Sequence, residues 1–363
     1  MSVEFGERRS IDFSTSELTG AIGDSVTMLP IVVAVAALTD LPLAGLLIWF
    51  AVFQVVWGVH YRLPVSVEPM KALAALVIAG ALSTTELAIA GLLAGACLLT
   101  IGTSGTLGRI ERYIGQPVVR GIQLAVALIL LETGVKLGFE SIALAVGAVG
   151  VAALVAVLGY RRASALCVLG LGALVALTQT GIPTAHLPTF ALPTLSVAAL
   201  SPAAIEGTAA QLAMSVGNAA VATSLLLGDY FDADVSADEL ATSMGVMNLV
   251  AVPLGGLPMC HGSGGVAGKY AFGARSAGAN LILGVLYVVA AVFAVGVVAA
   301  FPLSVLGVIL VLVALELGRA GLDTEHLPLT LAVGVLGLLT NVGIAFVVGA
   351  ACYLVLDSRM ATV

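Results

Sequence analysis

The sequence predicts an all-α polytopic membrane protein of about 14 spans, arranged as two inverted seven-span repeats. First, 60% of the 363 residues are hydrophobic and only 10% are charged, which is more apolar surface than a soluble core could bury. Second, apolar runs long enough to cross a bilayer recur along the chain and are separated by short loops. Third, motifs of the first half return in the second half.

The apolar runs divide the chain into four parts. Residues 1–17 have no apolar stretch behind their charges, so we interpret them as a cytoplasmic segment and not as a cleaved signal peptide. The first repeat covers 18–180, a linker covers 181–207, and the second repeat covers 208–357. The predicted spans are 18–38, 41–59, 63–81, 85–102, 117–135, 141–158, 163–179, 208–227, 239–254, 257–272, 280–299, 302–317, 327–340 and 343–356.

The distribution of positive charge predicts the orientation, because Lys and Arg concentrate in cytoplasmic loops. With the N-terminus inside, the arginines fall in or beside cytoplasmic segments, whereas Lys136 falls outside. Lys269 lies at a cytoplasmic span end, and Lys71 lies deeper within a span. We therefore predict a multi-pass protein of the cell (plasma) membrane with both termini in the cytoplasm.

Matching positions in the two halves indicate a duplicated unit. Gly23 precedes Pro64 by the same number of residues as Gly217 precedes Pro258. Further along, PVVRGIQLAVALILLE from Pro117 is echoed by PLSVLGVILVLVALE in the second half. Seven spans per repeat is an odd number, so the two repeats must be inverted relative to each other. Inverted repeats are frequent in secondary transporters, whose substrate lies near the midplane where the repeats meet.

The third and tenth spans are irregular at matching places. LPVSVEPMKALAALVIAG carries two prolines and β-branched residues before a helical run, and GLPMCHGSGGVAGKYAFGA begins with a proline and becomes glycine-rich. Because residues before proline avoid the α region, each span is predicted to be half strand and half helix. The half-helices then face each other with their N-termini at mid-membrane. Their unpaired N–H groups and positive dipole ends favour an anion.

Several motifs carry a family resemblance. GDSVTMLPI, VEPMKA, MGVMNL and PMCHGSGG followed by FGARSAG resemble the molybdate transporter family of the sulfate-permease superfamily. The resemblance implies an inverted-repeat fold like that of uracil permeases, with a core domain and a gate domain. It also implies uptake of molybdate, held between the third and tenth half-helices. Glu68 and Lys269 depart from the family pattern, which has Gln at both positions.

The candidate substrate-binding residues cluster around the two broken spans. Serine, glycine and lysine at a half-helix N-terminus suit an anion, and polar residues in the first and eighth spans add donors. A structural role stays open for each, since small residues also allow close helix packing and a polar residue in a bundle often serves packing alone. The candidates are Ser263, Gly264, Gly262, His261, Met70, Lys71, Thr27 and Asn218, with Gln54 and Asn248 as weaker donors.

Ionisable side chains inside spans are the candidates for proton coupling, because charged groups are costly in lipid and are kept there for function. Asp24, Glu68 and His261 are these candidates. The alternative for Glu68 is a structural ion pair with Lys71, three residues further along the helix. For His261 the alternatives are hydrogen bonding to substrate and a purely structural role.

The expected function is secondary active transport of a tetrahedral oxyanion, molybdate, by a symporter. The alternatives are a permease for sulfate or another anion, a nucleobase permease of the same fold, an anion channel, and a membrane enzyme using Cys260 and His261. An enzyme would need a base or metal partner for these two residues, and the sequence does not provide one. We therefore do not expect the protein to be an enzyme. No cofactor, metal site or nucleic-acid partner is predicted. The expected partners are the oxyanion, protons and the bilayer. The sequence does not decide whether the protein forms a homodimer.

Overall fold

The computed structural model describes residues 10–360, except for the side chains of Thr27, Val295 and 357–360, and the chain is mainly helical. The first half contains α1 Thr15–Leu38, α2 Leu43–Tyr61, β1 Val67–Pro69, α3 Lys71–Ile78, α4 Thr84–Ser104, α5 Leu107–Ile114, α6 Gln116–Gly138, α7 Ile142–Val157 and α8 Ser164–Thr180. The segment 1–9 of the predicted cytoplasmic N-terminus lies outside the described residues.

The second half repeats this order of elements. Its first helical run is continuous: α9 Pro202–Met214 passes through a π-helical segment, Ser215–Val221, into α10 Ala222–Phe231. It is followed by α11 Ala237–Ala251, β2 Met259–His261, α12 Ser263–Ala271, α13 Gly278–Phe293, α14 Val295–Ala299, α15 Leu303–Leu322, α16 Leu327–Leu339 and α17 Val342–Met360.

Within the described residues, six helical runs are long and apolar enough to cross a membrane by length and composition. A seventh is added if the two parts of α1, which meet at 46° beside Thr27, form one span. Pro30 lies inside α1 and lacks the N–H that would bond to the carbonyl of Val26, which accounts for a bend at this point. Four further apolar helices are shorter. The count of fourteen spans therefore stays a prediction.

The predicted half-strand, half-helix form of the third and tenth spans is confirmed. β1 and β2 pair antiparallel, with Val67 opposite His261 and Pro69 opposite Met259. The backbone N–H of Met70 extends the ladder by donating to the Pro258 carbonyl at 2.8 Å. The prolines of both segments and the extended-favouring Val-Ser-Val explain why neither span is helical throughout. Their polar backbone groups are satisfied by each other and by buried side chains, such as Asn248 at Met259 and Gln54 at Val67, as the membrane interior requires.

Close helix packing builds two groups of helices, and the helical halves of the broken spans belong to the first. In one group, α1 packs on α3 and α12, and α12 also packs on α10. In the other, α15 packs on α6, α7 and α8. Glycines allow the α6–α15 contact, because a Cβ on Gly134 would lie only 2.6 Å from the carbonyl oxygen of Gly307. The candidate site lies where the two groups meet.

Glu17, in the first turn of α1, ties this helix to the segment that follows α12. Its carboxylate accepts hydrogen bonds from the backbone N–H groups of Arg275, Ser276 and Ala279, at 2.8, 2.9 and 3.1 Å. Backbone N–H groups at the start of a helix have no acceptor within the helix, and Glu17 supplies an acceptor for those at the start of α13. The buried carboxylate thus fixes α1, α12 and α13 relative to one another.

Candidate substrate site

The two half-helices begin at opposite ends of the short ladder. α3 follows β1 and α12 follows β2. Because the strands are antiparallel, the N-termini of the two helices face each other along the ladder. Three strand residues at ~3.3 Å each separate the N-termini by about 10 Å. Met70 and Gly262 stand at the N-cap positions, and neither supplies a side-chain capping bond. On α3 the Ala72 N–H already donates to the side-chain oxygen of Gln211 at 2.9 Å. Each end still turns its positive dipole end and its other first-turn N–H groups to the space beside the ladder.

A cavity of about 450 Å³ opens beside these helix ends. Lys71, Asn218, Ser263 and Gly264 line its inner part from the broken spans and the π-helical segment. The Ser263 hydroxyl donates to the Asn218 side-chain oxygen at 3.0 Å. The facing wall comes from α6, α7, α8 and α15 and is mostly Ala, Val and Leu. Polar groups thus converge on the side of the broken spans, and the facing wall supplies most of the apolar surface, as in many small-molecule sites.

Three arginines line the outer part of the same cavity. Arg161 and Arg162 precede α8, Arg319 lies near the end of α15, and all three are exposed. Exposed Glu316 accompanies them. Sequence reasoning used these arginines only for orientation and missed their place at the cavity. The mouth therefore carries net positive charge, which concentrates anions near the opening.

Lys71 and Glu68 form the ion pair that the sequence offered as an alternative. The Lys71 ammonium lies 2.6 Å from a Glu68 carboxylate oxygen, with Glu68 fully buried and Lys71 16% exposed. Glycines make room for this carboxylate, since a Cβ on Gly262 or Gly265 would overlap with it. Gly264, in contrast, faces open space at the cavity. The glycine run therefore leaves space for the buried Glu68 carboxylate and also forms part of the cavity wall.

A second buried polar cluster lies behind the first. Asp24 pairs with Lys269 at 3.2 Å, and it also accepts hydrogen bonds from the Ser66 hydroxyl and the Gln54 amide. The Lys269 ammonium donates further to the side-chain oxygens of Gln54 and Asn280, at 2.9 and 2.8 Å. The Lys269 side chain is fully buried, and its place at a cytoplasmic span end stays a prediction.

Sequence reasoning also missed Ser66 and Asn280, although weak signals existed for both. Ser66 lies two residues before Glu68 and so shares its face of an extended segment. Asn280 is a polar residue near the start of an apolar span, and its amide donates to the Val65 carbonyl at 2.6 Å. Both residues anchor the backbone just before β1.

The remaining candidates lie away from the cavity lining. His261 is fully buried: Nδ1 donates to the Ser66 carbonyl at 3.0 Å and Nε2 faces the Ser243 hydroxyl at 2.7 Å. Met70 is buried at the end of the ladder. Asn248 holds β2 through two hydrogen bonds with the backbone of Met259. The side chain of Thr27 lies outside the described part of the structure.

The fold is shared with solved anion transporters. The transmembrane domain of a cyanobacterial bicarbonate transporter, BicA, superposes with a TM-score of 0.70 at 16% identity, covering 94% of this chain and 99% of that one. Murine Slc26a9, an anion transporter in an inward-facing state, gives 0.73 at 13% identity and covers 98% of this chain and 70% of that chain. The fold is therefore that of a membrane transporter.

Sequence comparison supplies the family. The family model described as molybdate transporter of MFS superfamily matches residues 16–130 and 203–317. Molybdate transporter 1 of Arabidopsis thaliana is 30% identical over 95% of this chain and 88% of its own length. Molybdate transporter 2 of the same plant is 29% identical over 85% of this chain and 79% of its own length. The chain belongs to the molybdate transporter family, as its motifs indicated.

Proposed function

We propose that this protein is a secondary active transporter that takes up molybdate. The supporting observation is the cavity bordered by two half-helix N-termini, with Lys71 and Ser263 in its lining. Backbone N–H groups, a hydroxyl and an ammonium are donors suited to a tetrahedral dianion. Similarity to proteins named molybdate transporters favours molybdate over sulfate, which has the same charge and shape.

A nucleobase permease of the same fold is less well supported. Nucleobases are bound through stacking surfaces and acceptors that match their N–H groups. The described residues that line the cavity include no aromatic side chain, and their one carboxylate, Glu316, has Lys71, Arg162 and Arg161 as charged neighbours. The donors at the inner end instead match an anion. Sulfate or another anion is therefore the nearer alternative substrate.

Transport assays with purified protein in liposomes test this proposal. Molybdate uptake should saturate, and tungstate should inhibit it strongly and sulfate weakly. Ser263→Leu should reduce uptake by about tenfold, because it removes a donor and fills the inner end of the cavity. Ser104→Leu, at an exposed position near the end of α4, is the matched control and should transport normally. Equal inhibition by sulfate would point to a general sulfate-type permease, and inhibition by uracil alone would exclude the anion.

We further propose the duplicated organisation and the orientation. Repeats over 18–180 and 208–357, joined by a linker at 181–207, agree with two separate matches to one family model. With both termini in the cytoplasm of the cell, the cavity and its arginines open inward. The coupling ion proposed is the proton, with Asp24, Glu68 and His261 as the candidate carriers.

Labelling of single cysteines tests the orientation. The exposed native thiols Cys167 and Cys352, and the partly exposed Cys97, are first replaced by serine. Ala185→Cys, in the exposed linker, should then react with an impermeant thiol reagent applied to intact cells. Asp234→Cys, in the exposed segment between α10 and α11, should react only after the membrane is permeabilised. The opposite pattern would invert the proposed topology.

A further inference from the structure

The facing wall of the cavity carries two uncharged polar side chains, Gln123 on α6 and Ser164 at the start of α8. The Ser164 hydroxyl donates to the Ala152 carbonyl of the same wall, at 3.3 Å. Gln123 is only 2% exposed, although it lines the cavity. Buried amides need hydrogen-bond partners for both ends, so the partners of Gln123 decide what this wall offers to a ligand.

Arg120 fixes the orientation of the Gln123 amide. Its Nη1 donates to the Gln123 Oε1 at 2.9 Å, from a position three residues earlier on α6. Because a guanidinium has only donors, the amide must turn its oxygen to Arg120 and its Nε2 away from it. Arg120 is not among the described residues that line the cavity. Within the described part of the chain, the Gln123 Nε2 has no hydrogen-bond acceptor, so the donor end of the amide is left for the cavity.

The face of α6 that carries Gln123 packs against the polar side of the cavity. Val119 lies four residues before Gln123 and therefore on the same face of the helix. A Cβ on Gly217 would lie 3.0 Å from a Val119 methyl group, and Asn218 follows Gly217 in the π-helical segment. α6 also packs on α3, which begins at Lys71. Gln123 thus borders the same cavity as Asn218 and Lys71 but belongs to the other group of helices.

We propose that Gln123 donates a hydrogen bond from Nε2 to the bound oxyanion and is the residue through which the group of α6, α7, α8 and α15 recognises the substrate. This inference rests on the proposed function. A tetrahedral dianion has oxygens on all sides, and the half-helix ends reach only those that face the broken spans. An oxygen turned to the Ala, Val and Leu side chains of the facing wall would lose its water without a replacement donor, which is costly. The Gln123 amide supplies that donor.

Calorimetric titration of the purified protein with sodium molybdate at neutral pH tests the inference. Gln123→Met keeps the length of the side chain and removes the donor. We expect its Kd to rise by about tenfold to 100-fold, the range for a hydrogen bond to a charged group.

Gln123→Glu separates the donor from the contact with Arg120. It keeps the shape and the acceptor for Arg120 but replaces the amide nitrogen by a carboxylate oxygen, so the Kd should rise by about 100-fold or more. A role confined to holding Arg120 predicts the opposite result, because a carboxylate accepts more strongly from a guanidinium and binding would stay normal.

Gln179→Met and Gln179→Glu are the matched controls, since Gln179 is exposed near the end of α8 and both changes should leave the Kd as it is. An unchanged Kd in either Gln123 variant would overturn the inference and leave the proposed function intact. No molybdate binding by the unmodified protein would overturn both. If Gln123→Met fails to fold because Arg120 loses its acceptor, its combination with Arg120→Met decides: a Kd equal to that of Arg120→Met alone would overturn the inference.

Discussion

Lys269→Met is expected to destabilise the folded protein by about 3–5 kcal/mol, because it leaves the buried Asp24 carboxylate without its cation. Both side chains are fully buried, and their 3.2 Å contact joins α12 to α1. Thermal unfolding of the purified protein in detergent measures the loss. Lys136→Met is the matched control: it breaks an exposed ion pair, which contributes only about 0–1 kcal/mol.

A second substitution separates the charge from the packing. Asp24→Asn combined with Lys269→Met removes both charges of the pair and should recover most of the lost stability, since no unpaired charge stays buried. Equal losses for the single and double variants would mean that Lys269 acts through its hydrogen bonds to Gln54 and Asn280 instead.

Gly265→Ala is expected to lower molybdate uptake by about 100-fold, the order of loss that a misplacement of about 1 Å can cause. The added Cβ would overlap with the Ser66 hydroxyl and with the carboxylates of Asp24 and Glu68, so α12 must shift away from α1 and β1. Uptake per inserted molecule in liposomes measures the effect.

The control for this prediction is another helical glycine. An added Cβ on Gly170, in α8, meets no atom within 4 Å. Gly170→Ala should therefore leave uptake unchanged and slightly favour the helix. Normal uptake by Gly265→Ala would show that the two carboxylates tolerate displacement, and it would remove the geometric basis of the site.

Local sequence patterns predicted the parts of the site that depend on neighbours in the chain. The prolines and Val-Ser-Val indicated the broken spans, and the three-residue spacing of Glu68 and Lys71 allowed their ion pair. Both features need only backbone preference and closeness in the sequence, since Glu68 lies in β1 and Lys71 begins α3. They could therefore be derived before any tertiary contact was known.

Contacts between distant segments could not be derived in this way. Asp24 and Lys269 meet only because α1 packs on α12, and nothing in the periodicity of either span indicates that partner. The contacts of His261 with Ser66 and Ser243 join segments that are far apart in the sequence. Strand alternation says that Cys260 and His261 point to opposite faces, but it does not say which neighbours either side chain meets.

The pairing of Val67 with His261 has a consequence for biogenesis. When the ribosome has made β1, nearly two hundred residues still separate it from β2, so the extended backbone of the third span has no strand to pair with. Unpaired N–H and C=O groups are not stable against lipid. The third span must therefore wait at the insertion machinery or in a wet intermediate until the tenth span emerges. Late completion of this kind makes the last third of the chain decisive for whether the first third is ever correctly inserted.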